Sequence, residues 1–266
     1  MGQIWPGGRL RRLGRTVSFS WRRLWRKPVG TPLPVWPAAL TPVVVAGAVA
    51  IAVLFPIDAM TIDFMLGHRN ALTAWLAWLS DVGLSQWYLV PALAIYLAAA
   101  TADWQNAGYR LKARLTLLFG QAAFMFAAVA ISGIAVNLVK IAFGRARPSM
   151  FGELGAYHFS PLVVSKYFSS FPSGHATTLG AAAAVLAIWF PRHWLPITVV
   201  ALGFAMLRVV ARAHYPSDVA AGFLFGWVVV ALMARMLAAR RMGFRPREGK
   251  ILPEAIGIRR SRPDRG

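Results

Sequence analysis

Six apolar runs, separated by polar loops, constrain the fold of this 266-residue chain more than any other feature. A membrane-spanning helix needs about 20 residues, and about 17 are tolerated. Strands exposed to lipid would leave backbone groups without hydrogen-bond partners, so we expect helices. The sequence therefore predicts an all-α, polytopic membrane bundle of six transmembrane helices, located at roughly residues 35–55, 86–101, 115–139, 176–190, 195–210 and 219–237.

The segment between the first two runs, residues 57–83, is mixed in character. Trp75, Leu76 and Trp78 are typical of a helix that lies in the membrane interface rather than across the bilayer. We therefore expect an additional interfacial helix here. A partial seventh insertion is the alternative.

The charge of the chain is strongly positive although 58% of its residues are hydrophobic. Lys and Arg number 29 against 9 Asp and Glu, which gives a formal net charge of +20. These cations concentrate at the termini, a pattern typical of membrane proteins and not of nucleic-acid-binding proteins. The chain has no Cys, which excludes disulfides, thiolate metal sites and cysteine nucleophiles.

The basic termini flank the apolar region and suggest three parts. Residues 1–33 form a basic arm, residues 34–238 the membrane domain and residues 239–266 a basic tail, expected to be irregular from residue 243. In the arm, Trp5, Trp21 and Trp25 interleave with cations such as Arg26, which predicts contact with anionic lipid headgroups. A disordered basic tail is the alternative for its first dozen residues. The first apolar run is long enough to be a retained span and not a cleaved signal.

The basic loops predict the orientation of the bundle. With six spans both termini lie on one side, together with the loop that carries Arg110, Lys112 and Arg114 and the loop that carries Arg192. The positive-inside rule makes that side cytoplasmic. We expect a bacterial inner-membrane protein whose opposite face, with residues 56–85, 140–175 and 211–218, is extracytoplasmic.

Cations also gather on that outer face, where the positive-inside rule predicts few of them. They lie in three clusters at the ends of adjacent spans, and the cations are Lys140, Arg145, Arg147, Arg208 and Arg212. Ionisable groups at membrane depth are costly and usually serve a site. Several cations without matching acids indicate an anionic ligand, and Arg and Lys suit phosphate.

Two histidines and a helix start complete the predicted chemistry. The backbone N–H groups of Ser173 and Gly174 open a helix and can receive a phosphate oxygen. His214 and Asp218 are four residues apart, so the carboxylate can orient the imidazole for attack on phosphorus. His175 can protonate the leaving alkoxide. The cations already supply the positive charge, so we expect no metal and no cofactor.

These clusters resemble the three signatures of the type 2 phosphatidic acid phosphatase family, the integral-membrane lipid phosphate phosphatases. The first signature is a Lys, six residues and Arg-Pro, here Lys140 to Pro148. The second is Pro-Ser-Gly-His, here Pro172 to His175. The third is Ser-Arg, five residues, His, three residues and Asp, here Arg208, His214 and Asp218, with Leu207 in place of the Ser. We expect this departure to matter little.

The resemblance covers roughly residues 35–238 and implies a role for each matching residue. It implies metal-independent hydrolysis through a phosphohistidine on His214, with His175 as the acid and Asp218 as the orienting group. It implies a set of phosphate ligands: Lys140, Arg147, Ser173, Gly174 and Arg208. Arg145 has no role in the signature, and we expect it to be a substrate contact or a surface charge. His158 is expected to make a loop contact.

The predicted function is hydrolysis of a lipid phosphate or diphosphate monoester on the extracytoplasmic face. The candidate substrates are undecaprenyl diphosphate, phosphatidylglycerol phosphate, phosphatidic acid and the phosphates of lipid A, and we slightly favour an isoprenoid diphosphate. One alternative is a phosphotransferase, in which an alcohol replaces water. Another is a non-catalytic lipid-binding or transport protein. A soluble vanadate-using haloperoxidase would share similar ligands, but six apolar spans argue against it. The sequence leaves the oligomeric state open.

Overall fold

The computed structural model of the protein describes residues 6–25, 27–28, 34–104 and 106–257. The predictions made for Trp5, for Arg26 and for the outermost parts of both basic termini lie outside the described residues. Secondary structure follows the order α1 Pro6–Leu24, α2 Leu40–Leu54, α3 Asp58–Gly67, α4 Ala71–Leu79, α5 Gln86–Thr101, α6 Tyr109–Phe143, α7 Phe151–Leu154, α8 Gly174–Trp189, α9 Trp194–Val210, α10 Pro216–Ala239, β1 Phe244–Arg245 and β2 Glu254–Ala255.

Helices long and apolar enough to cross a membrane dominate the part of the chain that the structure describes. There are five such stretches, at Leu40–Gly67, Ala71–Thr101, Tyr109–Phe143, Pro191–Val210 and Pro216–Ala239. The remaining predicted span, the fourth, at residues 176–190, corresponds to α8, which is shorter, at 16 residues. Twelve of those residues are buried, so α8 lies among its neighbours and not against lipid. The predicted all-α polytopic membrane bundle is confirmed.

The segment predicted to hold an interfacial helix contains two helices. A short 3-10 turn at Phe55–Ile57 joins α2 to α3, so the first span continues as far as Gly67. Helix α4 begins where the Asn70 side chain accepts a hydrogen bond from the Thr73 backbone N–H at 2.9 Å, a typical N-cap. Both tryptophans of α4, Trp75 and Trp78, are exposed, and the stretch Ala71–Thr101 that includes α4 is itself long and apolar enough to cross a membrane.

Helices α8 and α10 pack extensively against each other, and they do so through glycines. A side chain on Gly180 would collide with the Phe223 carbonyl, and one on Gly226 would collide with the Thr177 carbonyl. Gly222 likewise faces the backbone of Ser173. In lipid the hydrophobic effect does not drive helices together, so small residues that allow close backbone approach replace it. This contact sets the position of the α8 N-terminus relative to that of α10.

The described part of the basic tail folds back onto the bundle. Strands β1 and β2 pair antiparallel, with Phe244 opposite Ala255, and the Phe244 ring lies 4.7 Å from that of Phe124 in α6. The buried Arg235 guanidinium donates to the carbonyls of Pro34 and Lys250. The expectation of an irregular tail from residue 243 is therefore wrong for Phe244–Arg245 and Glu254–Ala255, which pair as strands, because Phe244 has an apolar surface to bury.

We predict that Gly226→Ala destabilises the bundle, whereas Gly203→Ala does not. Overpacking a tight contact costs about 1–3 kcal/mol, and the new methyl group would have to displace the α8 backbone. Gly203 in α9 has nothing within 4 Å of the position that a Cβ would occupy. Thermal unfolding in detergent tests this: the Gly226 variant should melt at a clearly lower temperature. Equal melting temperatures for both variants would mean that the α8–α10 contact is not tight.

Candidate active site

The predicted site residues come together at one end of the bundle, where α6 and α9 end and α8 and α10 begin. Helix α6 stops at Gly144, whose φ of 58° is left-handed, a conformation that glycine adopts without strain. A side chain there would also collide with the Ser160 carbonyl. This turn leaves Lys140 in the last turn of α6 and directs the following loop, with Arg147, back over the bundle.

Two of the predicted phosphate ligands share a partner in the loop before α8. The Lys140 ammonium donates to the Ser169 carbonyl at 3.2 Å, and Arg147 Nη2 donates to the Ser169 hydroxyl at 3.2 Å. The two cations repel each other electrostatically. Neither makes an ion pair with an acid among the described residues, so this cluster has uncompensated positive charge.

Arg208, in the last turn of α9, brings a third cation to the cluster. Its Nη1 donates to the buried Ser80 hydroxyl at 3.0 Å and lies 3.7 Å from Asp81 Oδ1. The Nε atoms of Arg208 and Arg147 are both buried and have no hydrogen-bond partner among the described residues. Because a buried donor without a partner is costly, an anion that accepts from both would be favoured.

The N-terminus of α8 supplies backbone donors beside these cations. The Ser173 backbone N–H is occupied, because it donates to the Asp218 carbonyl at 3.0 Å, and the Ser173 side chain caps the helix at Ala176. The N–H groups of Gly174 and His175 belong to the first turn, where no intrahelical partner exists. A Cβ on Gly174 would lie 3.5 Å from the Lys140 ammonium. An anion held by Lys140 therefore lies close to the helix start.

His214 lies in the turn between α9 and α10 and is almost fully buried. Its Nδ1 lies 2.9 Å from the Ser170 carbonyl oxygen. Since a carbonyl can only accept, Nδ1 carries the hydrogen and Nε2 keeps its lone pair. Asp218 Oδ2 lies 3.8 Å from Nδ1, beyond hydrogen-bond reach. The predicted direct contact between His214 and Asp218 is thus an electrostatic one.

Burial sets the protonation state of His214. It lowers the pKa of the imidazole to about 4, against the opposing influence of Asp218, and the charges of Lys140 and Arg147 lower it further. A lowered pKa means that the ring is neutral at any pH well above 4. The buried imidazole therefore has an available lone pair on Nε2 at neutral pH.

His175 is half-buried in the first turn of α8 and interacts electrostatically with His214 and with all three cations. The turn at Ser80–Gly83 packs directly on it: a methyl group on Gly83 would come within 2.9 Å of the His175 Cβ. The two imidazoles predicted to act as nucleophile and acid thus belong to a single charged cluster.

Arg145 is not a surface charge or a substrate contact, contrary to the sequence-based expectation. Its side chain is fully buried, with Nη2 at 2.8 Å from Asp58 Oδ2 and Nη1 at 2.7 Å from Asp218 Oδ1. Nε and Nη2 also donate to the Ala156 carbonyl. The guanidinium lies 4.2 Å from the centre of the Tyr215 ring. The reason is electrostatic, because two buried acids need a cation between them.

Asp58 and Ser217 complete this buried network and join the first span to α10. Asp58 Oδ1 accepts from the Ser217 backbone N–H at 3.0 Å, and the Ser217 hydroxyl donates to Asp58 Oδ2. Arg145 Nη1 donates to the same hydroxyl at 2.8 Å. The network therefore fixes the start of α10, and with it Asp218 and the neighbouring His214.

Sequence reasoning missed four residues that hold the site together: Asp58, Ser80, Ser170 and Ser217. For Asp58 a signal existed, because a lone acid at the end of an apolar run is costly unless it is paired. The three serines give no such signal, since a serine is ordinary in a loop or at a helix start. In this chain Leu207 stands where the third signature has a Ser. The Ser80 hydroxyl provides a hydroxyl partner for the neighbouring Arg208.

His158 makes the loop contact expected of it. Its ring contacts the Ser160 hydroxyl at 3.0 Å within its own loop.

Comparison with known proteins gives the class of this fold and site. Residues 121–242 match the PAP2 superfamily. Lipid A 1-phosphatase from Rhizobium johnstonii (strain DSM 114642 / LMG 32736 / 3841) is 36% identical over 222 residues, which cover 80% of this chain and 85% of that protein. Lipid A 1-phosphatase from Rhizobium etli (strain ATCC 51251 / DSM 11541 / JCM 21823 / NBRC 15573 / CFN 42) is 38% identical over 154 residues, which cover 56% of this chain and 64% of that protein.

The protein is an integral-membrane lipid phosphatase, a hydrolase of lipid metabolism. More particularly, the chain belongs to the PAP2 superfamily, the type 2 phosphatidic acid phosphatase family. The family resemblance drawn from the three sequence clusters is confirmed.

We predict that Arg145→Ala prevents stable folding. Removing the guanidinium leaves Asp58 and Asp218 buried without their cation, and breaking a buried ion pair costs about 3–5 kcal/mol. Arg192→Ala, which removes an exposed arginine, is the control and should behave as wild type. Thermal unfolding and the yield of folded protein in detergent are the measurements. If the Arg145 variant melted like wild type and only its KM rose, Arg145 would be a substrate contact after all.

Proposed function

We propose that this phosphatase removes the 1-phosphate of a lipid A-type glycolipid through a phosphohistidine on His214. The observation that carries the substrate class is the similarity to two proteins named lipid A 1-phosphatase, one of them along most of its length. This substrate takes precedence over the isoprenoid diphosphate that the sequence analysis slightly favoured, because no described contact distinguishes an isoprenoid.

The first step is attack of His214 Nε2 on phosphorus. The hydrogen bond from Nδ1 to the Ser170 carbonyl leaves Nε2 as the nucleophilic atom. A bond forms from Nε2 to phosphorus and the bond from phosphorus to the lipid oxygen breaks. His175, in the protonated form that the bound phosphate anion favours, donates its proton to that oxygen, so the lipid leaves as an alcohol and His175 becomes neutral.

The second step is hydrolysis of the phosphohistidine. Water attacks phosphorus, His175 takes the proton, and inorganic phosphate leaves with His214 regenerated. Lys140, Arg147 and Arg208, together with the N–H groups of Gly174 and His175, would stabilise the charge on the equatorial oxygens in both steps. Two observations support this arrangement. The Ser173 side chain caps the start of α8, and Gly174 has no side chain to fill the space beside the Lys140 ammonium. We propose that no metal takes part.

A groove beside Lys140 offers room for the part of a substrate next to its phosphate. It is open, has a volume of about 300 Å³ and lies between the end of α6 and the loop before α8. The groove continues from the proposed phosphate site, because Lys140 and Ser169 belong to both. Its walls combine apolar side chains with hydrogen-bonding groups, as a saccharide that carries acyl chains requires: Asn137, Ile141, Val163, Val164, Ser165, Lys166 and Phe168.

We propose that the site opens on the extracytoplasmic side of a bacterial inner membrane and that both termini are cytoplasmic. The basic loops support this orientation through the positive-inside rule. The exposed Trp21 of the basic helix α1, and the exposed Trp25 directly after that helix, support contact between the N-terminal arm and anionic headgroups.

A panel of lipid phosphates tests the substrate. The purified protein in detergent should release phosphate from the 1-position of lipid A faster than from phosphatidylglycerol phosphate, phosphatidic acid or undecaprenyl diphosphate. Mass spectrometry of the product identifies the position that lost phosphate. Activity should persist with excess chelator, because the proposed chemistry uses cations of the chain. Faster release from undecaprenyl diphosphate would refute the lipid A assignment, and loss of activity with chelator would refute metal independence.

We predict that His214→Ala lowers the rate of phosphate release by at least about 10³-fold, since it removes the proposed nucleophile. His193→Ala removes a histidine at the opposite end of α8 and should keep wild-type activity. Rapid acid-free quenching with labelled substrate should trap the phosphoenzyme in wild type and in the His193 variant but not in the His214 variant. A labelled His214 variant, or one that keeps its turnover, would contradict the phosphohistidine.

A further inference from the structure

We propose that Ser170 is a positioning residue through which Asp218 orients the nucleophile His214. Given the proposed function, Ser170 links the two with both of its polar groups: its carbonyl holds the imidazole and its hydroxyl holds the carboxylate. Asp218 would then act on His214 by way of Ser170 and by its charge, and not by a direct hydrogen bond.

The contacts of Ser170 carry this inference. The residue is completely buried. Its carbonyl accepts from His214 Nδ1–H at 2.9 Å, and its hydroxyl donates to Asp218 Oδ2 at 2.6 Å. The separation of 3.8 Å between His214 Nδ1 and Asp218 Oδ2 excludes a direct hydrogen bond.

The remaining partners of Asp218 hold the carboxylate away from the imidazole. Oδ1 pairs with Arg145 Nη1 at 2.7 Å. Oδ2 accepts from the Tyr215 backbone N–H at 3.0 Å in addition to the Ser170 hydroxyl. The backbone N–H of Ser170 donates to the Arg145 carbonyl at 3.0 Å. Ser170 is thus attached to Arg145, Asp218 and His214 at once, and a shift of Ser170 would move all three contacts.

The charged groups that face His214 determine what loss of the hydroxyl would do. They are Asp218 from α10, Lys140 from α6, Arg147 from the following loop and His175 from α8, with Arg208 of α9 next to His175 and Arg147. Asp218 is the one anion in this set. Asp58 is separated from it by Arg145, which pairs with both carboxylates. Removing the Ser170 hydroxyl takes a hydrogen bond from the Asp218 carboxylate. The carboxylate then stabilises a protonated His214 more strongly, because less of its negative charge is neutralised by a donor.

Ser170→Ala tests the proposal because it deletes the hydroxyl and keeps the carbonyl. The variant should lose about tenfold to a hundredfold in kcat, as for a hydrogen bond to a charged group, with KM within about twofold because no phosphate ligand changes. The acid limb of its kcat/KM profile should move to higher pH by about half a unit or more, since protonation of His214 becomes easier.

Ser132→Ala is the matched control. Ser132 is also completely buried, and its hydroxyl donates to the Ala128 carbonyl at 2.6 Å within α6. This variant should keep the wild-type kcat and pH profile. Should Ser170→Ala not purify as folded protein, Ser170→Cys, with a weak donor of similar size, should show the same shift in smaller measure.

An acid limb that stays in place, with kcat unchanged or reduced equally at every pH, would contradict the positioning role. Ser170 would then be a packing residue. The assay uses whichever lipid phosphate the wild type hydrolyses fastest, so it does not depend on lipid A being the substrate. Failure of the phosphohistidine would appear separately, as an active His214→Ala variant.

Discussion

The buried ion pairs of Arg145 with Asp58 and Asp218 are the interaction on which the rest of the site depends. They join the start of α3, the loop after α6 and the start of α10, three segments far apart in sequence. A buried charge in a membrane protein is costly unless it is paired. The need to pair two acids around one guanidinium therefore determines where α10 begins, and the positions of Asp218 and His214 follow from that.

Close packing of α8 against α10 provides the second constraint. Gly180, Gly222 and Gly226 let the two backbones approach, which brings the α8 N-terminus to the turn that holds His214. The Ser173 backbone N–H then bonds to the Asp218 carbonyl. A lipid phosphatase needs rigid groups around a small, highly charged centre, and this helix pair supplies rigidity where the surrounding lipid supplies none.

Sequence patterns predicted much of this fold and the meeting of three polar clusters at one end of the bundle. The apolar runs at 86–101 and 195–210 coincide with α5 and α9 to within a residue, because hydropathy alone decides which segments enter lipid. The three polar clusters lie together as expected. The role of Arg145 was wrong, because an arginine beside a phosphate-binding motif looks the same in sequence whether it faces a ligand or two buried acids. The β1–β2 hairpin was missed because its anchor, Phe244, packs on a residue more than a hundred positions away.

The sequence by itself determined the membrane bundle, the gathering of cations at one end of it and the family to which the chain belongs. These properties depend on hydrophobicity and on local spacing, which are legible in a linear chain. Only the tertiary structure decided which acid neutralises which cation, which carbonyl receives the His214 proton and which arginine atoms are left for an anion. Such choices rest on distances of a few ångströms between residues that are remote in sequence, and no pattern along the chain records them.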